Sequence, residues 1–206
     1  MKVSLINYPV YLDLCQDAAA ICTNAKNKAK AFAHAVGSGH NSVLEHAGFT
    51  FRVEGVSRVL LAQLTRHRLA SFSVESQRYC GANMDTIVPG SMAIADLVDD
   101  IIEVRRAVKN LYEKSVSLGV PEEDARYFTL QGGITNLIVT MNARELHHFF
   151  SLRCCNRAQW EIRELADMML AICKNRFPEW FENAGPDCVR GKCPETRPCG
   201  KPRTEQ

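Results

Sequence analysis

Between residues 91 and 118 apolar side chains recur at three- and four-residue steps: Ile94, Leu97, Val98, Ile101, Val104, Val108, Leu111 and Tyr112. Only a helix gathers such a series onto one face, so the stretch predicts one long amphipathic helix that needs a surface to pack on. Gly119 stops it. Pro121 then opens another helix, with Glu122, Glu123 and Asp124 in the first turn, where carboxylates suit the helix dipole.

Two other stretches have a period of two. "FTFRVEG" sets Phe49, Phe51 and Val53 against Thr50, Arg52 and Glu54, a half-buried strand, and "ITNLIVTM" after "QGG" reads as a second strand with β-branched bias. The rest is mainly helical. Residues 15 to 36, rich in Ala and Lys without Pro, predict a helix ending at Gly37. Ser57 suits an N-cap for "RVLLAQLTRHRLA", a helix of about three turns followed by a loop. Asn142, with Glu145 three residues on, has the form of a capping box; its helix runs to about Cys155 and resumes through "AQWEIRELADMMLAICKNRF" before Pro178. The expected fold is α+β, long helices packed around a small mostly antiparallel sheet in a single domain. Residues 1–183 form its body, and 184–206 a Cys- and Pro-containing flexible tail.

Composition excludes several classes. A net charge of +2 over 206 residues, with acidic residues mixed throughout, does not ask for nucleic acid. No apolar run reaches the roughly 18 to 20 residues that span a bilayer, and "MKVSLINYPVYLDLCQD" meets acid at Asp13 and Asp17, so a cytoplasmic protein is expected. Nine cysteines is an odd number at irregular spacing, and a disulfide framework is foreign to that compartment. Cys188, Cys193 and Cys199 in the tail include no C-x-x-C pair, and no metal site is assigned.

Three polar clusters lie where the apolar pattern does not require them. "GHNSVLEH" offers His40, Ser42, Glu45 and His46. "RHRLASFSVESQRY" concentrates Arg66, His67, Arg68 and Arg78 with Ser71, Ser73 and Ser76. "NARELHHFFSLR" supplies Asn142, Arg144, His148 and Arg153. At about 100° per residue Arg144 and His148 share one side of their helix, while Asn142 and Arg153 fall on another. Guanidinium groups pair bidentately with phosphate and stay charged at any working pH, so these clusters point to an anionic ligand. Neither a Gly-rich phosphate loop nor an H-E-x-x-H is present. The chemistry is expected from a bound cofactor, with the protein supplying anion clamps.

The R-H-R of residues 66–68, seven residues, Ser76 and then "QRY" resembles the signature of the flavin-dependent thymidylate synthases. "GHNSVLEH", "GVSRVLLAQLTRHR", "GVPEEDAR" and "NARELHHFFSLRCCNRAQWEIRELA" extend the likeness over about residues 35 to 180. The resemblance implies a homotetramer with shared active sites. FAD and NADPH would convert dUMP to dTMP, with 5,10-methylenetetrahydrofolate as carbon donor and tetrahydrofolate released. It implies nucleotide contacts at Gln63, Leu64, Thr65, Arg66, Val74, Glu75, Ser76, Gln77, Arg78, Arg126 and Arg153. Flavin contacts are implied at His40, Ser42, Arg66, His67, Arg68, Val74, Asn142, Ala143, Arg144 and His148. Arg153 would be the catalytic group, stabilising the ionised uracil ring, with no enzyme thiol as nucleophile.

The chain departs from the family pattern at Val74, a position usually Glu or Gln, and "YFTLQGG" lacks a proline near Leu130. The residues alone leave two other classes open, a nucleic-acid-binding module gripping phosphates with Arg66, Arg68 and Arg78, and a non-catalytic nucleotide-binding scaffold. Neither membrane nor nucleic-acid partners are expected for the enzyme.

Overall fold

The computed structural model describes residues 1–9, 13–191 and 193–203. In chain order the elements are β1 (Lys2–Asn7), α1 (Asp13–Thr23), α2 (Lys28–Gly37), β2 (Gly48–Ser57), α3 (Arg58–Leu64) and β3 (Ala70–Val74). There follow α4 (Gly90–Ile94), α5 (Val98–Ser117), α6 (Glu122–Ala125), β4 (Ile134–Asn142), α7 (Ala143–Arg153), α8 (Trp160–Arg176) and α9 (Pro178–Phe181). The architecture is the expected α+β, with helices packed around a small antiparallel sheet of strand order β1-β2-β4-β3. Among the described residues no helix is long and apolar enough to cross a membrane.

Within this fold the chain's contacts define two compact units. One comprises Met1–Lys2, Val53–Leu64 and Ser73–Leu137; the other comprises Val3–Arg52, Thr65–Phe72 and Ile138–Gln206.

The second unit holds most of the core. Phe49 and Phe51 of β2 and Val139 and Met141 of β4 are all but sealed from solvent, together with Leu146, Phe149 and Phe150 of α7 and Ile162, Leu165 and Met169 of α8. Their alternation along each strand is what the period of two predicts. On the opposite face Thr50 and Thr140 share a hydroxyl hydrogen bond of 2.9 Å, which fixes the β2–β4 register here. Phe49 is the hub of an aromatic cluster, edge-on to Phe177, Trp180 and Phe181.

In the first unit "QGG" is a structural turn. The N–H groups of Arg58 and Val59 donate to the carbonyls of Gly133 and Gln131, at 3.1 and 3.2 Å, and Ser57 Oγ accepts from Leu60 N at 3.0 Å. Three N–H groups of the α3 N-terminus, which have no partner within the helix, are satisfied in this way. Gly132 is required there: a Cβ would lie 2.7 Å from Thr86 Cγ2 and 3.1 Å from Ile87 O.

Four expectations need correction. The helix over 15 to 36 is two helices, because Asn24 takes a left-handed φ of 50° and Asn27 caps α2 by accepting from Lys30 N at 3.0 Å. The amphipathic helix of 91–118 breaks before Val98, at Asp96, whose φ is 58°. The helix after Ser57 ends at Leu64, well short of three turns. The stretch 70–74, read as loop, is strand β3, on which Ser71 and Ser73 point to the exposed side. "ASFSV" alternates, and its extended pairing outweighs the helical continuation.

The described residues of the tail belong to the second unit and are hydrogen-bonded within it. Arg203 Nη1 donates to both carboxylate oxygens of Asp167, at 2.8 and 2.9 Å, and to Cys154 O at 2.7 Å, while Asn156 Nδ2 donates to Lys201 O at 2.7 Å. The part of the tail expectation that falls on residues 192 and 204–206 lies outside the described residues.

Candidate active site

The start of α7 shows how its polar residues are directed. Asn142 caps the helix, its Oδ1 accepting from Glu145 N at 2.9 Å. The Glu145 side chain, which a capping box would fold back toward Asn142, turns instead to His67 Nδ1 at 2.8 Å. Both residues are 5% exposed.

The other ring nitrogen of His67 meets Arg153, whose Nε donates to Nε2 at 3.1 Å. Guanidinium nitrogens are donors only, so His67 Nε2 is the acceptor and the ring proton sits on Nδ1, donated to Glu145. Burial holds His67 below its ordinary pKa; the Glu145 bond opposes this, and the nearby Arg153 charge adds to it. The imidazole is therefore a neutral link between a carboxylate and a guanidinium. Phe149 packs edge-on against it with centroids 5.0 Å apart, and His148 lies 5.9 Å away.

This chain of three residues forms part of the wall of an open cavity of about 630 Å³, lined by Arg66, His67, Arg68, Leu69, Arg144, Glu145, His148, Leu152 and Arg153. Four guanidinium groups and two imidazoles thus surround one space, against a single carboxylate that is already hydrogen-bonded. Burial, then the field of Arg66, lowers the Arg153 pKa, although the group stays a cation at any working pH. Arg144 forms an ion pair with Glu45, from the 3-10 turn Asn41–His46. Helical spacing sets Arg153 on another side of α7 from Arg144 and His148, yet all three line this cavity. At the last position of α7 the long side chain of Arg153 reaches round to it.

His40, Ser42, Asn142 and Ala143 lie outside that lining. His40 and Ser42 are exposed around the 3-10 turn, and Ala143 is fully buried with its N–H donated to Ala47 O at 2.8 Å. Thr65, in the same unit, is exposed between α3 and β3.

The remaining candidates belong to the first unit. Arg78 Nε pairs with Glu123 Oε2, and Arg126 Nε donates to Glu123 O at 3.1 Å, so one residue gathers both cations. Ser76 Oγ accepts from Arg78 N at 3.2 Å, shaping the turn that presents Arg78. Glu75 is held by Asn136, whose Nδ2 donates to Oε2 at 2.7 Å. Gln77 is buried, Gln63 and Val74 are half-buried, and Leu64 is entirely core, leaving its backbone as the part able to meet a ligand.

Arg58 is a cation that motif reading passed over. Its Nη2 donates to Glu75 O at 3.3 Å, and among the described residues its Nε is buried with no partner. Burial, then the charge of Arg126, lowers its pKa. The signal was present in "GVSR": a cation in the first turn of a helix opposes the dipole and needs another purpose.

In the second unit Cys155, Cys188, Cys193 and Cys199 line one cavity of about 290 Å³. Cys155 thus joins the three tail thiols, although among the described residues no three such groups have metal-holding geometry.

A profile of the family described as thymidylate synthase complementing protein (Thy1) matches residues 4–179. The flavin-dependent thymidylate synthase of Geobacter sulfurreducens is 51% identical over 168 residues, covering 79% of this chain and 72% of its own. That of Pyrococcus furiosus is 44% identical over 172 residues, covering 78% and 70%. Thymidylate synthase X of Helicobacter pylori, whose crystal structure holds FAD and dUMP, superposes with a TM-score of 0.71 at 27% identity, over 89% of this chain and 98% of that one. The UMP/dUMP methylase PolB of Streptomyces cacaoi, bound with 5-Br dUMP, shares the fold with a TM-score of 0.77 at 24% identity, over 89% and 95%. Fold and relatives together make this chain a methyltransferase. It belongs to the flavin-dependent thymidylate synthase family.

Proposed function

We propose that the chain methylates dUMP to dTMP, using FAD and NADPH with 5,10-methylenetetrahydrofolate as carbon donor and releasing tetrahydrofolate. The observation that carries this reading is the cavity walled by Arg66, Arg68, Arg144 and Arg153. Such a donor set fits the pyrophosphate and ring edges of a dinucleotide better than any neutral ligand, because guanidinium–phosphate bonds are charge-assisted and bidentate. When bound, the flavin supplies the reducing electrons that a thiol-based synthase would draw from its folate.

In this assignment Arg66, His67, Arg68, Arg144 and His148 hold the flavin, with His40, Ser42, Val74, Asn142 and Ala143 at its margin. Arg78, Ser76 and Arg126 take the 5′-phosphate of dUMP. Gln63, Leu64, Thr65, Val74, Glu75 and Gln77 complete the nucleotide contacts, Leu64 through its backbone. Arg153 meets the uracil ring. The C5 carbon is a poor nucleophile until the ring is ionised, and a fixed cation beside N3 and O2 favours that form as an oxyanion hole favours developing charge. Arg153 orients and stabilises; it does not act as a base. Active sites are completed between subunits of a homotetramer. The amphipathic helix α5, none of whose residues is buried and whose Ile102, Val104 and Leu111 are exposed, supports such an assembly.

An FAD titration followed by tritium release from dUMP labelled at C5, with NADPH and the folate present, tests the proposal. Binding of FAD with NADPH-dependent release is expected. A protein that ignores FAD, or binds it and releases no tritium, overturns it.

A further inference from the structure

We propose that Glu145 is a positioning residue for the reaction: through His67 it sets the orientation of the Arg153 guanidinium in the cavity wall. The inference rests on the reading of Arg153 given above and adds the two groups behind it.

A long side chain at the last residue of a helix has many rotamers, and an arginine carries roughly 2 kcal/mol of rotamer entropy. The hydrogen bond from Arg153 Nε to His67 Nε2 restrains the plane of the guanidinium, and hence the edge it presents to a ligand. That bond exists only while His67 Nε2 carries a lone pair. The opposite tautomer, and the imidazolium, place an N–H against the N–H of Arg153.

Glu145 decides between these states. Its Oε1 accepts from Nδ1 at 2.8 Å, and each residue is 5% exposed. Without that acceptor, the tautomer that serves Arg153 leaves a buried donor unmade, at a cost of about 1–3 kcal/mol. The carboxylate is itself fixed at the capped start of α7, where the dipole favours negative charge. A glutamate at this position usually closes a capping box; here the side chain serves His67. The other charged or titratable groups around His67 are the cavity arginines Arg66, Arg68 and Arg144, which carry no acceptor, and His148, an edge-on ring whose centroid is 5.9 Å away. Glu145 is the acceptor that the geometry provides.

The test compares Glu145→Ala with Glu145→Gln in the full chain. Imidazole nitrogen shifts of histidine-labelled protein report the His67 tautomer, assigned by its loss in His67→Gln. FAD affinity and dTMP turnover are measured alongside. In the wild type, and in Glu145→Gln, whose amide oxygen still accepts, His67 is expected in the Nδ1–H form. Glu145→Gln should also keep most of kcat. Glu145→Ala should shift the tautomer or protonate the ring and lower kcat by up to about 100-fold, the scale of a misplaced catalytic group, with a much smaller change in FAD affinity. An unchanged tautomer in Glu145→Ala, a shifted tautomer with wild-type kcat, or equal loss in both variants overturns the proposal. If the wild type forms no dTMP, it is the assigned reaction that fails. The tautomer shifts, read without turnover, still decide the linkage of Glu145 to His67.

Discussion

Arg78 Nε lies 2.5 Å from Glu123 Oε2, so the cation proposed for the nucleotide phosphate is already paired with a carboxylate. Both side chains are about half exposed, and such a pair is weak in water, worth up to about 1 kcal/mol. A phosphate accepting a bidentate, charge-assisted bond displaces it readily.

Arg78→Ala should therefore weaken dUMP binding by about 10- to 100-fold, the value of one charge-assisted hydrogen bond, while FAD binds as before. Calorimetric titration with each ligand checks it. Equal loss of both ligands would reject the division of roles, and Glu123→Gln should leave dUMP affinity equal or slightly improved.

Arg153→Ala should keep the fold and the flavin but lose about 100- to 1000-fold in dTMP formation, the usual loss for one preorganised donor. Arg153 is only part-buried, so its removal opens no core cavity. Arg153→Lys should be nearly as poor, because a point charge lacks both the planar fork and the Nε–H that meets His67. Turnover of either variant near that of the wild type would end the assignment.

How much of this was legible in the sequence depends on the range of the interaction. The strands at Phe49–Val53 and after "QGG", and the caps at Ser57 and Asn142, are set by near neighbours, and they form where the pattern placed them. The breaks at Asn24 and Asp96 were missed because a single left-handed residue interrupts a helix without disturbing its apolar period. The cations of the site were legible as clusters. The link from Glu145 through His67 to Arg153 was not, since it joins groups 78 and 86 residues apart. Helical spacing set Arg153 on another side of α7 from Arg144, yet both line one cavity, because angular position on a helix does not say where a long terminal side chain ends. Arg58 went unread for a related reason: its partner Glu75 is supplied by the fold.

His147 links pH to stability. Its Nε2 donates to Trp180 O at 3.0 Å, and the ring stacks on Phe181 with centroids 5.1 Å apart. Burial lowers its pKa, opposed by the Trp180 bond and assisted by the Arg190 charge; His67 is lowered too. The unfolded chain takes up protons below a pKa of about 6.5 that the folded chain refuses. The unfolded state thus binds more protons in that window, and stability rises with pH through it. Urea unfolding followed from pH 8 down to pH 5 should show a midpoint that falls once pH drops below about 6.5. His147→Gln, which still donates to the carbonyl, should flatten part of the slope. A midpoint that climbs on acidification would contradict the shift.

The cysteines give the last prediction. Cys15, Cys154 and Cys173 are buried, while Cys22, Cys80 and Cys199 are exposed. Burial pushes the Cys173 thiol up to about 12, and burial together with the Asp167 carboxylate raises Cys154 further. The thiolate is the reactive form, so these two are inert near neutral pH. Iodoacetamide should alkylate Cys22, Cys80 and Cys199 of the native protein within minutes and spare Cys15, Cys154 and Cys173 until it is unfolded, as read by peptide mass. Cys80 stands close in sequence to Arg78, where a thiol nucleophile would be looked for, but it is exposed and the proposed chemistry gives it no task. Cys80→Ser should form dTMP at close to the wild-type rate, and an inactive Cys80→Ser protein that still binds FAD and dUMP would show that the reaction runs through a thiol after all.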